Sequence, residues 1–296
     1  MKMAYLHDDM SWSEVRDLFR KWREDNERRS DEVIHLWETV LDEKQHKLDS
    51  ERHLVLEQVI IAALDCNRIK IAEQCIRKLS IEFPGSLRVQ KFKAMRLEAL
   101  EMFDEALDVL NAIIAQDETN AAPRKRKIAI YKAKGKNTDA IRELCEYTKL
   151  FMSDQEAWHE LCNLYMAEGE FAKAAFCMEE LLLHNPHSHL YHQRLAEIRY
   201  TMGGLENIEL AKTYYSQAVK LNPNNLRALY GLYLCCNQIS GSRSTVNKRK
   251  DAQKLAQLIL TKIQAKYNNE AEDDTINCVS IPALENAFGN LDIKSN

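Results

Sequence analysis

Glycine and proline are scarce in this chain: 8 and 5 of 296 residues, against the roughly 7% and 5% of ordinary proteins. So few turn residues leave little room for a sheet-rich fold. They also count against Gly-rich loops that bring backbone amides onto a nucleotide phosphate. Long apolar runs are missing. The longest is Val59 to Leu64, far short of the about 20 residues that cross a bilayer. A charge of one sign is missing too: the net charge is −4, with no global basic excess to favour nucleic acid. The opening residues Met1 to Asp9 lack the apolar core of a signal peptide, and no Asn-x-Ser/Thr sequon occurs. There is no C-x-x-C, G-x-S-x-G, H-E-x-x-H or G-x-x-x-x-G-K. The expectation is a soluble cytosolic protein with no catalytic site, no metal and no cofactor, reaching a membrane only through partners.

What is present is a period. Ala72, Ala106, Ala140 and Ala174 stand 34 residues apart, and Ala211 follows at 37. A 34-residue repeat is that of the tetratricopeptide helix–turn–helix unit, and a small residue recurs because two helices cross closely there. The clearest unit is 155–188, with Trp158, Leu161, Cys162, Tyr165, Gly169, Ala174, Met178, Leu181 and Pro186. This is the pattern W-x2-L-G-x2-Y, A-x3-F, P, with Cys for Gly and Met for Phe. The same frame sets units at 53–86, 87–120, 121–154, 189–225 and 226–267. The three extra residues of 189–225 are expected between its helices, near Gly203 to Asn207. A polar loop is expected over Ser240 to Lys250. Residues 1–52 read as capping helices: Ser11-x-x-Glu14 is a capping box, and Val33, Leu36, Trp37, Val40 and Leu41 follow at helical spacing after Ser30. Residues 268–296 read as a tail, acidic first, partly helical or disordered, with weak helical character from Thr275 to Phe288. The predicted fold class is all-α, a tetratricopeptide-repeat superhelical solenoid with extra capping helices at both ends. Cys75, Cys145, Cys162 and Cys177 fall at helix-packing positions and are expected to be buried free thiols.

Charge points to where such an array would grip. Arg124-Lys125-Arg126-Lys127 is followed by Lys132, Lys134 and Lys136, and no acid interrupts Ala121 to Lys136. The first helix of each unit lines the concave face, so Lys125, Arg126 and Lys132 are expected in that trough, with Lys91 joining from the unit before. Glu156 and Glu160 change its sign in the unit after. A basic concavity attracts an acidic segment or a terminal carboxylate. The asparagines of a chaperone-tail carboxylate clamp are missing from the corresponding positions, which hold Glu57, Ile61 and Phe92. His184, His187, His189 and His192 crowd one turn but lack a cysteine at zinc-ligand spacing, so they read as polar turn residues.

Five segments carry a resemblance beyond the generic repeat: Lys21 to Asn26, Arg124 to Ile130, Asp154 to Leu161, Ala172 to Cys177 and Gly203 to Asn207. Together they resemble the subunit 2 family of the endoplasmic reticulum membrane protein complex, over Trp12 to about Tyr233. The resemblance implies a scaffold on the cytoplasmic face of the endoplasmic reticulum. Its complex inserts tail-anchored and other weakly hydrophobic transmembrane segments, and the scaffold holds membrane-embedded and cytosolic subunits together. On that view the trough around Lys91, Arg124, Lys125, Arg126, Lys127 and Lys132 clamps an acidic cytosolic segment. The Gly203 to Asn207 insertion, with Glu206 and Asn207, and the terminal helices offer further docking edges, and Glu156 and Glu160 contact the partner from within the trough. The alternatives are a free cytosolic adaptor for acidic peptide tails and a hydrolase built on the histidine turn.

Overall fold

The computed structural model describes residues 10–242 and 245–270. Among them there is helix and no strand. The fold class is therefore all-α, as the 34-residue period requires, and its repeats are tetratricopeptide-like. The chain divides into two compact units between Glu143 and Leu144, and each is described by itself.

The first unit opens on α1 (Trp12–Glu24), where the capping box at Ser11 is formed: its hydroxyl accepts from the Glu14 amide, and the Glu14 carboxylate accepts the Ser11 amide at 2.7 Å. α1 buries Val15, Phe19 and Trp22. The second capping helix is interrupted. α2 (Ser30–Leu36) gives way to a π turn, Trp37–Leu41, closed by the Asp42 amide on the Trp37 carbonyl at 2.9 Å. The wider turn lets Leu36, Trp37 and Leu41 all point into the core, none more than 2% exposed. Helix pairs follow: α3 (Arg52–Asp65) with α4 (Ile69–Glu82), and α5 (Leu87–Ala99) with α6 (Phe103–Gln116). α7 (Ala121–Ala133) precedes α8 (Asn137–Leu150), which carries the division between units.

The second unit continues with α9 (Gln155–Ala167) and α10 (Phe171–His184), then α11 (His189–Met202) and α12 (Leu205–Leu221), then α13 (Leu226–Gly241) and α14 (Val246–Glu270). Its core is built from α11 to α14, around Ala211, Tyr215, Ala218, Leu229, Cys235, Cys236 and Ile259.

Two expectations need correction. The three extra residues of 189–225 do not widen a loop. Ala72, Ala106, Ala140 and Ala174 are each the fourth residue of their helix, whereas Ala211 is the seventh of α12, so the excess adds one helical turn at the α12 N-terminus. The polar loop is also shorter than Ser240 to Lys250. α13 runs through Gly241 and α14 begins at Val246, where Lys248 pairs with Glu209 at 2.8 Å. The weak helical character expected over 275–288 lies outside the described residues.

Local chemistry explains the register. The first helices of successive pairs follow Ser86, Asn120, Asp154, Ser188 and Asn225, all side chains that suit an N-cap. Four of them accept a backbone amide from the helix they open, at 3.1 to 3.4 Å. The turn inside each pair needs a left-handed residue. Asn67, Glu101, Gly135, Gly169 and Gly203 hold φ between 56° and 74°, each 34 residues after the last. The five period alanines are all fully buried. Cys75, Cys162 and Cys177 are buried free thiols; burial pushes Cys75 and Cys177 up to about 12 and Cys162 to about 11, so they pack as small apolar groups. Cys145 is only half-buried, its sulfur 3.2 Å from the Tyr165 hydroxyl.

Two substitutions and a control test this reading by thermal unfolding of the chain. Glu101 is exposed and alone in its series in carrying a long side chain at positive φ. Glu101→Gly is expected to raise the midpoint, worth about 0.5–1 kcal/mol once glycine's own entropy is set against the relieved strain. Gly231 faces the opposite constraint: a Cβ there would stand 2.2 Å from Cζ of the buried Tyr215. Gly231→Ala is expected to cost about 1–3 kcal/mol by overpacking, whereas Gly241→Ala, with no atom within 4 Å of its added Cβ, leaves the midpoint unchanged or higher.

Candidate partner-binding site

In the first unit the opening helices of the pairs, α3, α5 and α7, share a cavity of about 470 Å³ with the α1–α2 turn. Its floor is apolar: Trp22, Val33, Ile61, Ala62 and Met95. Its polar wall carries Arg23, Arg28, Arg29 and Arg126 beside Asn26 and Gln58. Every one of those arginines faces a carboxylate. Arg126 grips Glu98 with two parallel bonds, at 2.8 and 2.7 Å. Arg23 donates to Gln58 at 2.8 Å and to Glu51 at 3.1 Å. Arg28 holds Asp65 at 2.7 and 2.5 Å, and the Ser30 hydroxyl donates to the same carboxylate at 2.7 Å. Arg29 pairs with Glu27 at 2.7 Å and lies 5.8 Å from the Trp22 ring centre. The wall is rich in guanidinium yet close to neutral.

Lys91 on α5 does not line the cavity but lies near enough to Arg126 to feel its charge, and it differs from the arginines. It is half-buried, its ammonium 5.0 Å from the Phe92 ring centre, and it has no carboxylate at ion-pair distance among the described residues. Burial first, then the neighbouring Arg88 and Arg126, lower its pKa, with Glu57 opposing. Of the sequence-predicted residues, Lys91 and Arg126 stand close enough for the one to act on the other.

The remaining candidates are dispersed. Lys127 turns to Glu143 of α8 at 3.0 Å. Lys134 crosses to Asp104, at the start of α6, at 2.6 Å. Arg124 is half-buried with its Nε unpartnered. Lys125 and Lys132 are exposed on α7. In the second unit, Glu156 is exposed in the first turn of α9, with Glu160 half-buried one turn on. Glu206 is exposed in the first turn of α12. Asn207 donates to the Gly203 carbonyl at 2.9 Å, tying the end of α11 to the start of α12. His189 is flanked by the amides of Asn222 and Asn225, and His192 contacts the Pro186 carbonyl at 2.9 Å. No group of three or more His, Cys, Asp or Glu side chains is placed to hold a metal among the described residues. Sequence reasoning did not reach Arg23, Arg28, Arg29, Gln58 or Glu98. The α1–α2 turn lies outside the 34-residue frame, and Glu98 sits 28 residues before its partner.

Comparison with known proteins fixes the lineage. A family model described as the EMC2 TPR-like repeat domain matches residues 85–219. The chain is 46% identical over 286 residues to ER membrane protein complex subunit 2-A of Xenopus laevis, covering 96% of each chain. It is 46% identical over 293 residues to ER membrane protein complex subunit 2 of Xenopus tropicalis, covering 99% of this chain and 98% of that one. The chain belongs to the ER membrane protein complex subunit 2 family. Among solved structures, the C-terminal part of a TPR repeat-containing protein from Cytophaga hutchinsonii superposes with a TM-score of 0.58 at 16% identity. It covers 88% of this chain and 100% of that one, and supports the fold alone. No helix among the described residues is long and apolar enough to cross a membrane.

The cavity's outer wall depends on Glu51, which joins α1 to α3 through Arg20 and Arg23. The hydrogen bond from Arg20 lowers the Glu51 pKa below its ordinary 4.5, against a smaller opposing effect of burial. A depressed carboxylate stabilises the fold fully above its unfolded pKa and loses that contribution as pH falls through the folded value. Glu51→Gln is therefore expected to lower the thermal midpoint at pH 7. The gap from the parent chain should narrow as pH falls below the ordinary glutamate value and close only beneath the lowered value of the folded chain, where the parent's own Glu51 is protonated. Melting curves of both proteins across that range check the sign.

Proposed function

We propose that the chain is a scaffold subunit of the ER membrane protein complex, held at the cytoplasmic face of the endoplasmic reticulum by its partners. The observation that carries the reading is 46% identity across nearly the whole chain to relatives named as subunit 2 of that complex. In this role it catalyses nothing. It joins membrane-embedded to cytosolic subunits and so supports the insertion of tail-anchored and other weakly hydrophobic transmembrane segments.

The first-unit cavity is the clamp. An apolar side chain of an extended segment fills the floor between Ile61 and Met95, and an acidic neighbour meets Lys91 and Arg126. Such a segment displaces no bulk of water from a bare charge. It exchanges one carboxylate for another at Arg126 and brings one to ion-pair distance of Lys91, which has none there among the described residues. Lys125 and Lys132, exposed on the same helix, extend the positive edge outward.

The test is co-purification from detergent-solubilised endoplasmic reticulum membranes. Reversing Arg126 alone sets a glutamate against Glu98, so the fold itself is at risk. The double exchange Arg126→Glu with Glu98→Arg keeps the pair and relocates the charges. Lys91→Glu with Lys125→Glu leaves the pair untouched. Both double variants are expected to lose a membrane-embedded partner while their circular dichroism stays helical. An unchanged set of co-purifying subunits for both would remove the clamp assignment. Failure of the parent chain to bring down any subunit of the complex would remove the scaffold reading as a whole.

A further inference from the structure

A second surface has a different electrostatic character. Between Glu209 and Glu270 the chain carries one acidic residue, Asp251, against ten lysines and arginines, although the whole chain is at −4. This stretch makes most of α12 and all of α13 and α14. α12 and α14 flank a cavity of about 630 Å³ floored by α13, with Val219, Leu229, Leu232, Leu255, Leu258 and Ile259 in its lining. Leu258 is 51% exposed. Three lysines stand along the rim: Lys220, Lys262 and Lys266.

These lysines differ from the arginines of the first unit in what they meet. None of the three has a carboxylate at ion-pair distance among the described residues; Lys266 donates to the side-chain oxygen of Asn224. Elsewhere in the same stretch Arg227 is matched by Glu197 and Lys248 by Glu209. The three groove lysines have no such match among the described residues. An apolar trench with an unmatched cationic rim complements an apolar stripe flanked by acids.

The dimensions select a helix over an extended strand or a flat surface. α14 lines the trench from Leu255 to Lys266, about 16 Å at 1.5 Å per residue, or three helical turns. Helix-in-groove recognition uses anchors at i, i+4 and i+7 over that length. A planar lipid headgroup layer would meet the lysines but leave the floor empty.

We propose that the α12–α14 groove binds an acidic amphipathic helix of a partner protein, with aliphatic anchors on the Leu255–Leu258 floor and carboxylates on Lys220, Lys262 and Lys266. The surface is separate from the first-unit cavity and does not rest on the clamp reading.

The experiment uses the full chain and a fluorescent synthetic helix of about 18 residues, long enough to span the three turns, with leucines at i, i+4, i+7 and i+11 flanked by glutamates. A twin peptide replaces the glutamates with lysines. Saturable binding of the glutamate peptide alone is expected. It should weaken by about tenfold or more in Lys220→Glu with Lys262→Glu, and again on raising salt. Leu258→Ser, at a half-exposed position, should weaken binding without altering the helical circular dichroism. The proposal falls if the glutamate peptide does not saturate, if the lysine twin binds equally, or if the charge and Leu258 variants bind like the parent. It falls equally if phosphatidylserine vesicles bind where the peptide does not. A chain ending at Glu270 that binds more tightly would show that residues 271–296 occupy the groove, and would overturn the choice of partner.

Discussion

The close crossing of two helices at a residue with no side chain beyond Cβ is the constraint on which this protein depends. Ala72, Ala106, Ala140, Ala174 and Ala211 are each fully buried. A larger group at any of them would force the paired helices apart, at about 1–3 kcal/mol by ordinary overpacking. In a repeat array each pair packs on its neighbours, so an error in one pair is passed on as a misplaced surface for the next. The left-handed residue 34 positions apart in the turns and the N-cap 34 positions apart at the first helices serve the same end. They deliver both helices to the crossing at the right angle and length. At Gly231 the logic moves to the first helix: the absent side chain is replaced by the ring of Tyr215.

That constraint is why the fold was legible in the sequence. Alanine, cap and turn positions are local, and each repeats in one frame. Where the frame is broken the reading slipped. One added turn at the start of α12 reads as a loop insertion, because Gly203-Gly204 is a stronger local signal than the helical residues after it. The π turn at Trp37–Leu41 was invisible because Leu36, Trp37, Val40 and Leu41 suit an α-helical stripe as well as a widened one; only the need to bury Trp37 beside Leu41 decides it. The candidate site was less legible for a different reason. A run such as Arg124 to Lys127 announces charge but not direction, and successive helical residues point to different faces. Lys127 goes to α8 and Arg126 to Glu98, so the run is divided between structural pairing and a cavity. The arginines that complete the cavity come from the α1–α2 turn, which no repeat frame indexes.

Charge in the first unit works chiefly as alignment. Arg88 meets Glu57 at 2.5 Å, Arg126 meets Glu98 at 2.7 Å, and each pair joins the first helix of one repeat to the first helix of the repeat before. In the second unit Arg227 does the same to Glu197 at 2.5 Å. Exposed pairs of this kind contribute little stability, about 0–1 kcal/mol each. Their effect lies in orientation: the bidentate Arg126–Glu98 fork accepts one geometry and so sets the rotation of α7 relative to α5, while the single bonds of Arg88 and Arg227 constrain their helices less tightly.

The two grooves therefore differ in what can drive binding. In the first-unit cavity a carboxylate arriving at Arg126 must replace Glu98, and the exchange of one acid for another is close to neutral. Under the proposed clamp, net affinity has to come from burying an apolar side chain on Ile61 and Met95, with Lys91 adding a charge that has no ion-pair partner among the described residues. Recognition there is governed by shape and by the spacing of one anchor and one acid, and it should be weakly sensitive to salt because few unpaired charges are neutralised. The described lining of the α12–α14 groove holds no acid to displace. Each new carboxylate gains a lysine outright, at exposed positions where ions screen within about 8–10 Å. Long-range attraction and salt sensitivity belong to that groove. The two proposed surfaces thus differ in character, one selecting by shape and the other steering by charge. The difference follows from where the acids are absent, not from where the bases are present.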